Sequence, residues 1–375
     1  MRETALRLLN GIIPFWQGLR DEEYGGFYGH MDLDLNLNKK ADKGCILNSR
    51  ILWFFSEAAR TLGRDGLLDD ARHAYRFLTE YCLDKEGGGV FWSVTYDGRP
   101  AETVKHTYNQ AFAVYALSAY YEASGDRAAL RLAEELFTLI EDKCADAGGY
   151  LEAFDRTFAP IDNEKLSENG VTAYRTMNTL LHVFEAYSGL YRAAKSPAVA
   201  DKMRRCLELF QQKVFNPSLK RQEVFFDRGW NSLIDLTSYG HDIESSWLVP
   251  WGASLLGDDS VAPLCAALAE NVYEKAFREN SLRNECERGQ EDERRIWWVQ
   301  AEAVVGFLNA GNRRAAEDIL AFIEDTIVDK RPGSEWLSEV MPDGSHTEWR
   351  KPIVEEWKCP YHNGRMCLEI LRRLP

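Results

Sequence analysis

Two histidines stand out because each opens an apolar segment of the 375-residue chain: His241 in SYGHDIESSW and His362 in KCPYHNGRMC. Imidazole titrates near pH 6.5 in water, so at neutral pH either can serve as base or acid. Glu244 follows His241 by three residues and on a helix shares its face. A carboxylate against an imidazole fixes its tautomer and favours its charged form, which suits a general acid/base. Taken singly, a histidine at a helix start is more often a cap or a core residue; the glutamate shifts that weighing. Two histidines entering one cavity from different helices could address opposite faces of a bound carbon. Arg50 offers a permanent charge and a fixed fork of donors for a developing enolate oxygen, with an ion pair to a nearby glutamate as the plainer alternative. Asn178 and His182 are four apart and share a face, and periodicity lets one or two of His106, Tyr108 and Asn109 point inward. Trp297, Trp298 and Trp357 could stack on sugar rings or simply fill core at helix starts. His30, His73 and His346 fall in hairpin or amphipathic segments and carry no chemistry in this reading.

These residues need elements to position them. Amphipathic helices are predicted at about 3–20, 65–83, 126–143, 195–215, 260–278 and 313–329. In the third, Ala129, Leu132, Ala133, Leu136 and Ile140 fall on one face; in the sixth, Ala316, Ile319, Leu320, Ile323 and Ile327 do so. Between them lie six segments apolar nearly all round, 44–61, 106–123, 174–192, 240–256, 297–310 and 361–373, which read as buried helices. Their polar residues cluster at the N-terminal ends: Asn48 and Arg50, His106 to Asn109, Asn178 and His182, His241 and Glu244, Gln300 and Glu302, His362 and Asn363. Positions 48, 106, 178, 241, 300 and 362 are separated by 58, 72, 63, 59 and 62 residues. Gly-rich alternating stretches precede the buried helices. GGFYGHMDLDLNL sets Met31, Leu33, Leu35 and Leu37 at period two, and Asp343-Gly344 gives a hairpin signal. The repeat of outer helix, hairpin and inner helix implies an all-α (α/α)6 barrel in a single domain, 1–375. Six outer and six inner helices would close on themselves, with short β-hairpins and the pocket at the inner-helix N-termini.

Composition narrows the partners. With 45 basic and 59 acidic side chains the formal charge is −14, which argues against nucleic acid or an anionic membrane surface. No apolar run approaches the roughly 18 residues of a membrane span, and no signal peptide is legible. Eight cysteines without a CxxC pair read as reduced thiols in a cytoplasmic protein; Cys359 and Cys367 form at most half a zinc site. HDIE offers one His–Glu pair, but there is no HExxH, Walker A or GxGxxG sequence, so neither metal nor cofactor is expected. A polar pocket framed by Trp and Tyr suits a neutral carbohydrate.

The stretches ADKGCILNSRILWFFS, KHTYNQAFAVYALSAYY, LSENG, TMNTLLHVFEAY, SYGHDIE, WWVQAEAVVGF and KCPYHNGRMC resemble those of cellobiose 2-epimerases, within the wider N-acylglucosamine 2-epimerase superfamily of (α/α)6 barrels. The likeness runs along essentially the whole chain. It implies reversible, cofactor-free epimerisation at C2 of the reducing-end glucose in β-1,4-linked disaccharides: cellobiose to glucosyl-mannose, lactose to epilactose. It also implies that His241 and His362 are the acid/base pair and that Arg50 stabilises an enediolate. Tyr108, Asn178, His182, Glu244, Trp298, Glu302 and Trp357 match its substrate-contacting positions, and a monomer is expected. Arg175 and Gly333-Ser334 depart from the pattern without touching the chemistry. Four rivals remain at this stage. They are an aldose–ketose isomerase, a monosaccharide 2-epimerase, an inverting glycosidase using Glu244 and Glu302, and a non-catalytic sugar binder.

Overall fold

A computed structural model describes residues 1–166 and 169–374, so Ser167 and Glu168 of the LSENG stretch lie outside the described residues. Twelve α-helices alternate in the order expected. The outer set is α1 (Arg2–Gln17), α3 (Leu67–Phe77), α5 (Arg127–Leu139), α7 (Pro197–Leu209), α9 (Ala262–Ala276) and α11 (Arg313–Phe322). The inner set is α2 (Cys45–Leu62), α4 (Thr107–Ser124), α6 (Met177–Ala194), α8 (Tyr239–Leu255), α10 (Trp297–Asn309) and α12 (Tyr361–Arg373). In α3, α5, α7 and α11 the last turn widens to π geometry, ending at Cys82, Cys144, Val214 and Ile327.

Local chemistry explains the two helix types. On α5, Ala129, Ala133 and Leu136 are buried, and Asp126 caps the start by accepting from the Ala128 amide at 2.8 Å. On α4 every residue from Thr107 to Tyr120 is buried, as a helix without a polar face requires. The inner helices close into a ring: α2 packs on α4, then α6, α8, α10 and α12 follow, and α12 returns to α2. Each outer helix covers its neighbour in sequence, and α1 covers α12. This is an (α/α)6 barrel. Close approach inside the ring depends on glycine at four of the six seams. Gly189 faces Tyr115, Gly252 faces Phe184, Gly306 faces Ile243 and Gly364 faces Phe54.

Short strands tie the pocket end together. The segment entering each inner helix pairs with a short strand of the loop that precedes the next inner helix: 43–44 with 93–94, 105–106 with 153–154, 175–176 with 225–226, 236–238 with 285–287, and 295–296 with 339–340. A bridge between Met31 and Val354 completes the circle. Asp343-Gly344 makes the turn expected of it, with Gly344 at φ 82°. The period-two stretch 31–37 does not form a strand. Asp32 accepts from the Asn36 amide at 2.8 Å and Leu35 turns at φ 68°, so a tight loop buries Met31 and Leu33 instead.

A second repeat was not read from the sequence. Two or three residues before five of the inner helices stands a fully buried cation: Lys43, Lys105, Arg175, Arg295 and Lys358. Lys43 pairs with Asp21 at 2.6 Å, Lys105 with Asp84 at 3.1 Å, Arg175 with Asp146 at 2.6 Å, Arg295 with Glu293 at 3.5 Å, and Lys358 with Glu335. Before α8, Thr237 holds the place and accepts from Arg221 at 2.9 Å. Arg175, which looked like an incidental departure, is one member of this set.

The glycine seams give the first test. A Cβ on Gly306 would stand 2.5 Å from Ile243 Cγ1 and 2.8 Å from the Ile243 carbonyl oxygen, and the helix backbone cannot yield. Gly306→Ala is expected to destabilise the protein by about 1–3 kcal/mol, read as a lower denaturation midpoint in urea with an unchanged slope.

Candidate active site

A cavity of about 490 Å³ opens at the N-terminal ends of the inner helices. Arg50, Tyr108, Asn178, His182, His241, Glu244, Trp298, Trp357 and His362 all line it, together with Trp297. Of the residues singled out, His106 does not reach it: its ring packs on Trp92 at 4.8 Å, and burial lowers its pKa to about 4. Asn48 and Gln300 also turn to structural work. Asn48 accepts from the Phe27 amide, and Gln300 clamps both backbone groups of Leu282 at 2.8 Å.

Trp298 stands beside both histidines, its ring centroid 4.8 Å from His241 and 5.4 Å from His362. The expected His241–Glu244 partnership does not form. His241 Nδ1 bonds the Ser238 hydroxyl at 2.7 Å, because the chain enters α8 as a strand and brings Ser238 beneath the ring. Glu244 turns inward to Arg365 instead. Glu302, expected to contact substrate, is absent from the cavity wall and lies behind His362. It bonds His362 Nδ1 at 2.8 Å, accepts from Trp247 Nε1 at 3.1 Å and pairs with Arg365 at 2.7 Å. His182 bonds Glu185 at 2.8 Å in the same manner.

Arg365 is therefore the centre of the floor, and it was missed along with Glu185. Its Nη1 donates to Glu185 at 2.5 Å; its Nη2 meets Glu244 and Glu302. The signal was present: Glu185, Glu244 and Arg365 each follow a cavity histidine by three residues. A metal ligand set was not read either, yet Glu244, Glu302 and His362 bring ligand atoms within 4.8 Å of one another. Arg365 already supplies the cation for both carboxylates.

The charges follow from burial. His241 is pushed down to about 3 by desolvation, with His182 adding to the effect. His362 is held well below its ordinary value by burial, then by the charges of Arg365 and Arg50. Glu302 does not reverse this, because Arg365 absorbs its charge. Burial, with help from Glu302, raises Glu244 to about 7 against the pull of Arg365, and its second oxygen has no partner. Arg50 meets no carboxylate within ion-pair distance among the described residues. It donates to the Tyr108 hydroxyl at 2.8 Å, and its guanidinium lies 4.3 Å from the centre of the Phe112 ring. The site thus holds two neutral imidazoles and one uncompensated guanidinium. Imidazoles can take a proton from carbon, and the guanidinium can accept the resulting oxyanion.

Beyond this inner chamber the mouth carries Asn169, Asn284, Arg294, Trp349 and Lys351, none singled out from sequence. Trp349 is 54% exposed and stacks under Arg294 at 4.1 Å. Trp298 sets the inner geometry, and Gly240 makes room for it. A Cβ there would stand 2.5 Å from Trp298 Cη2. Gly240→Ala is expected to push the indole from between the histidines and lower kcat/KM by about 10–10²-fold, since misplacement of the order of 1 Å costs that much. Turnover and denaturation midpoint measured together separate this from unfolding.

Comparison with known proteins agrees with the geometry. The chain is 54% identical to a cellobiose 2-epimerase of Eubacterium cellulosolvens, covering 98% of this chain and 96% of the relative. It is 48% identical to one from Ruminococcus albus over 99% of this chain and 98% of that protein. The solved cellobiose 2-epimerase of Bacillus thermoamylovorans superposes with a TM-score of 0.96 at 42% identity, covering 100% of both chains. Residues 11–358 match the family described as N-acylglucosamine 2-epimerase, and to that family this chain belongs.

Proposed function

We infer that this protein is a carbohydrate epimerase that inverts C2 of the reducing-end glucose in β-1,4-linked disaccharides, converting cellobiose to glucosyl-mannose and lactose to epilactose. The full-length likeness to cellobiose 2-epimerases supports the substrate. The observation that carries the chemistry is two neutral histidines beside one tryptophan, with an unpaired arginine on the same wall. We read the whole chain as one catalytic unit working without metal or cofactor. No helix is long and apolar enough to cross a membrane among the described residues.

The pyranose opens to the aldehyde, which acidifies the C2 proton. One imidazole takes that proton, and the electron pair moves to the carbonyl oxygen as a cis-enediolate held by Arg50. The protonated imidazole can return its proton after rotation about C2–C3, or it can release that proton to solvent while the second histidine takes one up from solvent and delivers it to the opposite face. Ring closure completes the turnover. Tyr108 and Asn178 hold hydroxyls, and Trp357 and Trp298 present ring faces to the sugar. An inverting glycosidase fits poorly. Its carboxylates stand about 6.5–9.5 Å apart, whereas Glu244 and Glu302 offer oxygens within 4.8 Å and share one guanidinium.

Incubation with cellobiose in D₂O, followed by NMR, tests the reading: glucosyl-mannose carrying deuterium at C2 is expected. Free glucose would refute it, and a ketose would move the enzyme to the isomerases. His241→Ala and His362→Ala should each lower turnover by about 10²–10⁴-fold, and Arg50→Ala by about 10²–10³-fold, with folding retained.

The pH profile gives an independent check. A histidine base must be neutral, and a pKa lowered to about 3 keeps His241 neutral at any pH above about 4. The acid limb of kcat/KM from the histidines should therefore lie below pH 5 rather than near the usual 6.5. Any inflection near 7 belongs to Glu244 and should vanish in Glu244→Gln.

A further inference from the structure

Trp349, at 54%, is the most exposed of the large apolar side chains among the described residues, and it stands at the mouth of the catalytic cavity. So little burial does not hold an indole in place, and other contacts do. The Arg294 guanidinium lies 4.1 Å from the ring centre, and Arg294 is itself fixed by Asp292 at 2.6 Å and Glu339 at 3.1 Å. Glu339 also accepts from the Thr347 hydroxyl at 2.5 Å, and Arg350 pairs with Asp34 at 2.7 Å, so the chain is tied down on both sides of Trp349. This frame is shared with the inner chamber. Arg294 precedes the strand 295–296, which pairs with 339–340 and runs directly into Trp297 and Trp298. An aromatic ring that is bare yet held has already lost the freedom that binding would otherwise take from it.

We propose that Trp349, backed by Arg294, is the platform of an outer subsite for the third ring of a linear β-1,4-linked oligosaccharide. The inference deepens the epimerase reading and rests on it for the count of rings. The reacting ring belongs with His241, His362 and Arg50. Trp298 stands beside both histidines, and Trp357 lies 5.9 Å from the ring of Tyr108, whose hydroxyl accepts from Arg50. These two faces serve the reducing ring and its neighbour, and the next ring leaves the chamber at the mouth, where Trp349 stands. A β-1,4-linked glucose carries its hydroxyls equatorially and its ring hydrogens axially, so it offers a flat apolar face that matches an indole. Asn284 and Lys351 line the same mouth and supply donors for the hydroxyls at its edge. With Arg294 neutralised by two carboxylates, the platform suits a neutral ring rather than an anionic one.

Calorimetry with borohydride-reduced cellobiose and cellotriose, which carry no carbonyl and cannot turn over, reads the subsite without catalysis. The reduced trisaccharide is expected to bind about 3–10-fold tighter than the reduced disaccharide, the contribution of one aromatic face. Trp349→Ala should bring that ratio close to one, and Trp349→Phe should keep most of it. Arg294→Met, which removes the support but leaves the indole, should lower kcat/KM for cellotriose relative to cellobiose, with the loss in KM rather than kcat. Equal affinity for two and three rings in the unaltered protein overturns the subsite, as does a trisaccharide advantage that survives Trp349→Ala. An equal loss of affinity for both lengths in Trp349→Ala assigns the indole to the second ring and overturns the third. Loss in Trp349→Phe as complete as in Trp349→Ala traces the effect to the loop and overturns the stacking. Failure of the epimerase reading would show separately, as no glucosyl-mannose from cellobiose, because the calorimetric ratio involves no turnover.

Discussion

One guanidinium organises the catalytic end of this barrel. Arg365 is buried among Glu185, Glu244 and Glu302, three carboxylates drawn from three inner helices. Desolvating so many charges is costly, and one cation cannot balance three anions. The structure answers by dividing the load unequally. Glu185 has the charge of Arg365, the His182 ring and the Tyr361 hydroxyl, which together outweigh burial and hold it below its ordinary value. Glu244, left with one contact, is raised towards neutrality. Removing Arg365 would strand three buried carboxylates, two of which hold the rings of His182 and His362. The orientation of those rings is thus set by an ion cluster that lies beneath them.

The two buried arginines of the site do opposite jobs because of what surrounds them. Arg365 is saturated with carboxylates and can offer nothing more at its two Nη atoms. Arg50 sits among aromatic rings, donates to the Tyr108 hydroxyl, and meets no carboxylate within ion-pair distance among the described residues. In the proposed mechanism an oxyanion formed in the chamber finds its charge partner at Arg50. Had the glutamate that sequence spacing allowed been in place beside it, the arginine would be neutralised before any intermediate formed. The same logic keeps the imidazoles neutral: burial and neighbouring charges disfavour a resting positive charge, so in the proposed mechanism both histidines begin as bases.

Much of this was legible in the sequence. Alternation of amphipathic and wholly apolar helical segments marked all twelve helices, because the outer helices have one wet face and the inner helices none. Polar residues at the inner-helix starts marked the chamber, and nine of the ten residues named for it line its wall. What sequence spacing could not give was which way a polar side chain turns once two elements meet. Three-residue spacing put Glu244 on the face of His241, but a strand carrying Ser238 arrived first, and Arg365 from α12 offered a stronger partner. Glu302 was displaced from the wall for the same reason. Four of the five buried cations before the inner helices, Lys43, Lys105, Arg175 and Lys358, were invisible because their partners lie about 20 to 30 residues away, beyond any local period.

The architecture adds a field of its own. Six inner helices direct their N-termini towards one chamber, and each N-terminus carries a partial positive charge. Only α6 of the six has a side-chain cap, from Thr176. In α2, α4, α6 and α10 the first amide is instead taken by a carbonyl of the next strand, as Cys45 is by Trp92 and Thr107 by Glu152. No inner helix has a carboxylate as its N-cap residue, as Asp126 is on an outer helix, although Glu152 accepts from the Thr176 amide at the start of α6. The field favours the anionic enediolate of the proposed mechanism and disfavours a resting imidazolium, in the same direction as Arg50 and burial. Strand pairing that circles the pocket end thus does more than close the fold, because it fixes six dipoles on one point while side chains there stay free to meet the substrate.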